Sequence, residues 1–218
     1  NLFEQLLVPQ IAYESMTATE LAPIARYYNL NRQFPLLESL TLNGKGFVFK
    51  TLFDQLPTNL TLLSVRGHLR DVDERVVDKL PRTLWSLRLE NTHMKPAGQQ
   101  EKSVPVQFPP RLEECDLVVE WATLVLSSLP PSLRKLSYYV ARSDKAPEEW
   151  KTLPQGLTSL SSQTADITPE YLGWLPPNIT ALELPGHRIT EENVRALPVK
   201  LSTTLLNISR LPTSCVQL

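Results

Sequence analysis

At 218 residues with 42% hydrophobic content, the chain is long enough to bury a large core in one elongated domain. Its 22 basic and 23 acidic side chains leave a formal charge of −1, without the basic excess that nucleic acid or an anionic membrane surface usually requires. There is no apolar run long enough to span a bilayer, and residues 1–12 lack the charged-then-apolar order of a signal peptide.

Residues 1–33 carry a helix signal of their own. An apolar segment runs from Leu2 to Ile11, and Thr17-Ala18-Thr19-Glu20 reads as a capping box for a helix through Leu21, Ile24, Ala25 and Tyr28. We expect residues 1–33 to be an N-terminal helical cap over the open end of a domain formed by residues 34–218.

From Phe34 onward one phrase recurs. Pro57, Pro81, Pro109, Pro130, Pro154, Pro176 and Pro198 are followed three residues later by Leu60, Leu84, Leu112, Leu133, Leu157, Ile179 and Leu201. Two further slots of each phrase are mostly apolar, as in Leu63 and Val65, Leu87 and Leu89, Cys115 and Leu117, Leu136 and Tyr138, Leu160 and Ser162, and Leu182 and Leu184; the last copy has Thr204 and Leu206. A first copy, shorter by a residue, runs from Phe34-Pro35 to Leu37, Leu40 and Leu42. The eight phrases start at 37, 60, 84, 112, 133, 157, 179 and 201, with periods of 23, 24, 28, 21, 24, 22 and 22. Such periods mark a solenoid.

The second half of each period predicts a short helix. Apolar residues stand four and nine positions ahead of many prolines: Phe53 and Val48, Val77 and Val72, Leu126 and Trp121, Leu172 and Ile167, Val194 and Ile189. Thr168-Pro169-Glu170 supplies an N-cap, a first-turn proline and an acid, and Asp71 with Glu74 resembles a capping box. Each closing proline ends its helix, because it has no N–H to donate and its ring clashes with a continuing turn. Residues 91–107, polar and without helical period, predict a loop in place of one outer helix. Trp121 and Trp150 match buried slots, and Trp174 falls where partial exposure is expected.

One strand and two helical turns cannot cover their own leucines, so the units must stack. Over residues 34–218 the pattern resembles the leucine-rich-repeat superfamily, most closely the Leu-Pro-rich repeats of protist proteins, with a likeness to bacterial effector repeats in the LPxxLxxLxV phrase. The resemblance implies an α/β solenoid of horseshoe shape, about eight repeats and an incomplete ninth, with a parallel sheet on the concave face and short helices on the convex face. It departs from the family where an inward Asn is expected after the strand, since His68, Thr92, Ala165, His187 and Ser209 stand there. Leu6-Leu7, Ile11, Glu20-Leu21 and Ile24 to Arg26 faintly resemble the helical spacing of an F-box, which would make the chain a substrate-recognition subunit of a ubiquitin ligase. Starting at Asn1 and stopping within a ninth phrase, Leu211-Pro212 to Leu218, the chain reads as trimmed or incomplete.

Cys115 occupies a core leucine slot and Cys215 the first slot of that ninth phrase, so both read as small buried hydrophobes. The paired cysteine caps of secreted members of the superfamily are missing, which favours a reducing, cytoplasmic compartment. The sequons at Asn59, Asn178 and Asn207 point weakly the other way, and the first two arise from the repeat phrase itself.

Function is expected on the strand residues between the leucines, which face outward from the concave sheet. The ends of that face are small and uncharged, while its middle carries Arg66, Arg88, Glu90, Glu114, Asp116, Lys135 and Tyr139. Arginine and an aromatic on a rigid curved surface are the composition of an interface hot spot, whereas simple cross-strand pairing would make the same charges a solvated face. We expect these seven residues to contact a protein partner, with no nucleic acid, membrane, metal or cofactor involved. No Gly-x-Ser-x-Gly, phosphate loop or His-Glu-x-x-His is present. His68 and His187 hold equivalent slots roughly 24 Å apart by strand spacing, too far to share a zinc, and His93 beside His68 lacks a third ligand.

Overall fold

The computed structural model describes residues 15–18, 30–70, 74–92, 106–119, 126–139, 148–163, 168–188, 192, 195 and 207–210. Among them the chain forms one parallel sheet whose strands follow sequence order: β1 (Ser15–Ala18), β2 (Ser39–Phe49), β3 (Leu62–Arg70), β4 (Ser86–Thr92), β5 (Glu114–Val119), β6 (Lys135–Tyr139), β7 (Ser159–Gln163), β8 (Ala181–Arg188) and β9 (Asn207–Arg210). Leu40, Leu63, Leu87, Cys115, Leu136, Leu160 and Leu182 stand opposite one another from β2 to β8, so each leucine slot becomes a row of the core.

Those rows are closed off from water. The first leucine or isoleucine of each phrase, from Leu37 to Ile179, is fully buried, as are Leu63, Val65 and Leu89. Between strands the chain turns through short helices. Among the described residues they include α1 (Leu30–Gln33), α2 (Pro169–Gly173) and 3₁₀ segments at Lys50–Gln55, Glu74–Lys79, Leu126–Ser128 and Glu148–Thr152. Phe53, Val77, Leu126, Trp150 and Leu172 enter the core from them, at the slots the period predicts. Thr168 caps α2 as expected, its hydroxyl accepting from the Tyr171 N–H at 3.4 Å, with Pro169 opening the helix.

Two ladders stitch the turns ahead of the strands. In each described Pro-x-x-Leu turn the leucine N–H donates to the proline carbonyl, as from Leu84 to Pro81 at 3.1 Å and from Leu157 to Pro154 at 3.0 Å. The carbonyls of Glu38, Thr61, Trp85, Glu113, Arg134 and Thr158 then each accept two successive N–H groups of the next repeat, so this row of carbonyls is satisfied by the backbone. Side chains two residues past the proline form the second ladder. Asn59 donates to the Pro35 carbonyl at 3.0 Å, Thr83 to the Thr58 and Leu60 carbonyls at 2.8 and 2.7 Å, Ser132 to Pro110 and Leu112 at 2.9 and 2.8 Å, and Asn178 to Gln155 at 3.0 Å. At Gly156 the slot has no side chain, and the Arg134 guanidinium fills it, donating to the Gly156 carbonyl at 2.9 Å. This polar ladder precedes the strands. Two of the sequon asparagines are its rungs.

The structure differs from expectation in four places. Val48, read with Phe53 as a helical slot, lies in β2. The sheet begins inside residues 1–33, where Met16 and Ala18 pair with Leu40 and Leu42. Thr17 is thus a strand residue and not a helix cap. The rest of that segment, apart from α1, lies outside the described residues. At the other end Leu184 faces Ile208, where the period puts Leu206, a slip of two residues that preserves the alternation of faces. His68 and His187 lie within β3 and β8, which run on past the predicted phrase. The phrase start at Leu201, the capping residue Asp71, residues 93–105, Trp121 and Cys215 fall outside the described residues.

One core slot is compensated in volume. Tyr138 and Ser162 are neighbours across β6 and β7 in positions that hold leucine or valine in the strands before them, apart from β1. The Trp150 indole N–H donates to the Tyr138 hydroxyl, and both rings are buried. A tyrosine and a tryptophan leave little room beside them, and Ser162 is the small residue that fits.

Candidate functional site

Alternation fixes which side chains reach the face opposite the core. Leu63 and Val65 of β3, Leu87 and Leu89 of β4, and Cys115 and Leu117 of β5 are buried, so Arg66, Arg88, Glu90, Glu114 and Asp116 project to the other side. Register then decides the neighbours. Arg66 stands opposite Glu90, Arg88 opposite Asp116, and Glu114 opposite Lys135, so Arg66 and Arg88 are diagonal to one another.

Six of the seven expected residues come together in cross-strand pairs. Arg66 Nε lies 3.0 Å from Glu90 Oε2, and Arg88 reaches Glu90 and also Asp116, whose Oδ2 is 3.3 Å from Arg88 Nε. Lys135 donates to Glu114 at 2.6 Å, one strand further along. Tyr139 holds the position opposite Val118; its side chain lies outside what the structure describes. The pairing is uneven in depth. The acids are sunk, with Glu90 13%, Asp116 28% and Glu114 36% exposed, while Arg66, Arg88 and Lys135 are 63%, 56% and 63% exposed.

Depth shows in the titration of Asp116. Burial pushes its carboxyl above the ordinary 3.8, Arg88 and the Ser137 hydroxyl draw it down, and Glu90 adds to the rise. Its Oδ1 is buried and accepts no hydrogen bond. Lys135 is raised by its hydrogen bond to Glu114 and by that carboxylate's charge. On the opposite face burial, with Asp116 next to it, lifts the Cys115 thiol far above the range in which it ionises, so it packs as an inert apolar group.

Among the described residues no group of three His, Cys, Asp or Glu could hold a metal, and no helix is long and apolar enough to cross a membrane. The residues that resemble an F-box, Leu6, Leu7, Ile11, Glu20, Leu21 and Ile24 to Arg26, lie outside the described residues. The seven expected residues omit Ser137, whose hydroxyl favours the ionised form of Asp116, and Trp85, exposed at the rim of the sheet. Trp85 was legible as the one aromatic in a slot that is polar in neighbouring phrases: Glu38, Thr61, Glu113, Arg134, Thr158 and Thr180.

A solved structure described as a novel circular LRR protein, CroV588, matches 95% of this chain with a TM-score of 0.55 at 19% identity. The chain has the leucine-rich-repeat fold. It spans 32% of the length of that neighbour. No family model and no curated protein matches the chain.

Proposed function

We propose that this leucine-rich-repeat chain is a non-catalytic protein-binding module whose contact face is the centre of the concave sheet, β3 to β6. The observation that carries the reading is the unequal depth of the paired charges. Three cations stand above three acids, so a face that sums to zero presents guanidinium and ammonium groups outermost. Held from beneath by Glu90 and Asp116, Arg66 and Arg88 lose little side-chain freedom when a partner arrives, which lowers the entropic cost of association. A partner with acidic groups on a convex surface is the matching chemistry.

Capture from a cell lysate followed by quantitative identification provides the test. Proteins recovered by the wild type should be lost with Arg66→Gln/Arg88→Gln, and a recovered partner, once purified, should bind the double variant roughly tenfold more weakly or worse. The neutral substitution is preferred to charge reversal, which would place a carboxylate against Glu90 and Asp116 and weaken the fold itself. A purified partner that binds both forms equally would refute the assignment of the face.

A further inference from the structure

The rim of the sheet ahead of the strands carries a second feature, independent of the concave centre. Trp85 is 41% exposed there, although large apolar side chains of the described residues are otherwise almost all covered. The buried core slots of this phrase are filled by Leu84 and Leu87, and the indole stands outside them. Elsewhere Trp174 lies under the Lys151 ammonium, 4.0 Å from the ring centroid, whereas Trp85 has no such cation over it among the described residues.

The next residue along the rim is Glu113, whose N–H donates to the Trp85 carbonyl at 2.8 Å. The two residues are thus one strand spacing apart, about 4.8 Å. Exposed Arg111 stands two residues ahead of Glu113, but no ion pair joins them. Arg134, the following residue of the rim, extends away from it to the Gly156 carbonyl, and the adjacent Glu114 already holds Lys135. Glu113 is exposed and has no ion-pair partner among the described residues.

We propose that Trp85 and Glu113 form a seat for a single cationic side chain, arginine or lysine, of a partner polypeptide. The indole face attracts the cation through its quadrupole and the carboxylate through its charge. Exposed Arg111 lies two residues ahead of Glu113, so an isolated cation between uncharged neighbours fits better than a basic run. This reading does not depend on the use of the concave centre.

The probe is an acetylated, amidated pentapeptide with one arginine between glycine and serine residues, set against the same peptide with glutamine in place of arginine. Resonances of the Trp85 indole N–H and of the Arg111 and Glu113 amides are followed by NMR in the full chain. The arginine peptide should move them saturably and the glutamine peptide should not. Glu113→Gln should weaken the response roughly threefold or more, and Trp85→Leu, read at the amides, should weaken it at least as much. Both positions are exposed, and unchanged dispersion elsewhere in the spectrum confirms that the variants fold. Arg66→Gln/Arg88→Gln should leave this binding intact, which separates failure here from failure of the concave face. Equal response to both peptides, or an undiminished response in Glu113→Gln, would overturn the proposal.

Discussion

Glu90→Gln is the substitution that bears most directly on the concave centre. Glu90 is the least exposed member of the network, and both Arg66 and Arg88 reach it. Glutamine keeps the shape and one acceptor oxygen but removes the charge. Two partly exposed ion pairs contribute about 0.2–1 kcal/mol each, so the direct loss is about 1 kcal/mol. Part of it returns, because Glu90 raises the Asp116 pKa, and without it Arg88 settles on an Asp116 carboxylate that ionises more readily. The net destabilisation should stay below about 1 kcal/mol, a fall in melting temperature of roughly 2–4 °C at most for a chain of this size. Double-mutant cycles pairing Glu90→Gln with Arg66→Gln and with Arg88→Gln, measured by chemical denaturation, isolate the couplings. Each should be a few tenths of a kcal/mol at low ionic strength and shrink in about 1 M salt. Couplings of zero with both arginines would mean that Glu90 does not hold them, and the preorganised face would lose its physical basis.

Three more outcomes rest on the same geometry. Ser162→Ala should stabilise the chain by about 1 kcal/mol in denaturation, because a buried, unpartnered hydroxyl is costly. The Ser162 side chain is such a group, 1% exposed beside Tyr138, and alanine fills nearly the same space. Thr83→Val should cost about 1 kcal/mol, since it removes one hydroxyl shared by the Thr58 and Leu60 carbonyls; an unchanged midpoint would show that the side-chain ladder adds nothing to the backbone one. Asp116, whose folded pKa is raised, holds its proton to higher pH folded than unfolded, so its contribution to stability falls as pH rises from 3.8 through the folded value. Carboxyl NMR should place the Asp116 midpoint higher in Arg88→Gln and lower in Glu90→Gln than in the wild type, and movement in the opposite sense would reverse the assigned causes.

The solenoid was legible because its signal is redundant. Prolines and leucines repeated at a near-constant interval leave one way to bury the leucines, and within the phrase slots the register from β2 to β7 agrees residue for residue. What escaped the pattern did so where its letters change. β1 stands 24 residues ahead of β2, a normal period, but its core slots hold Met16 and Ala18, and the local capping signal at Thr17 outweighed them. A backbone pairing in a sheet overrides a local helix preference worth about 1 kcal/mol or less. The ladder was sought after the strands, where the family resemblance puts asparagine. It lies before them because the Pro-x-x-Leu turn aims the residue two past the proline at the carbonyls of the preceding turn. The charged residues were legible as a group, and the period that sets Val65 beside Leu89 also sets Arg66 beside Glu90; their unequal depth was not legible. Whether Arg66 meets Arg88 or Glu90 depends on strand register, and a shift of two positions exchanges attraction for repulsion.

That register also bears on how a partner would be oriented. Were the central charges in one plane, they would cancel at any distance beyond their spacing, and the face would be electrostatically blank. With the acids set deeper than the cations, the field just above β3 to β6 is positive, while the Glu113 carboxylate beside Trp85 offers a negative charge at the rim. Trp85 and Arg88 are three residues apart on one extended segment, so about 10 Å separates the two fields. A polypeptide with an acid and a base a few residues apart can meet both in one direction and would bring like charges together in the other, at a cost that fixes its polarity. Neutralising Glu113 alone should therefore lower affinity modestly but let the reversed orientation compete, whereas neutralising Arg88 should remove the acidic contact in either orientation.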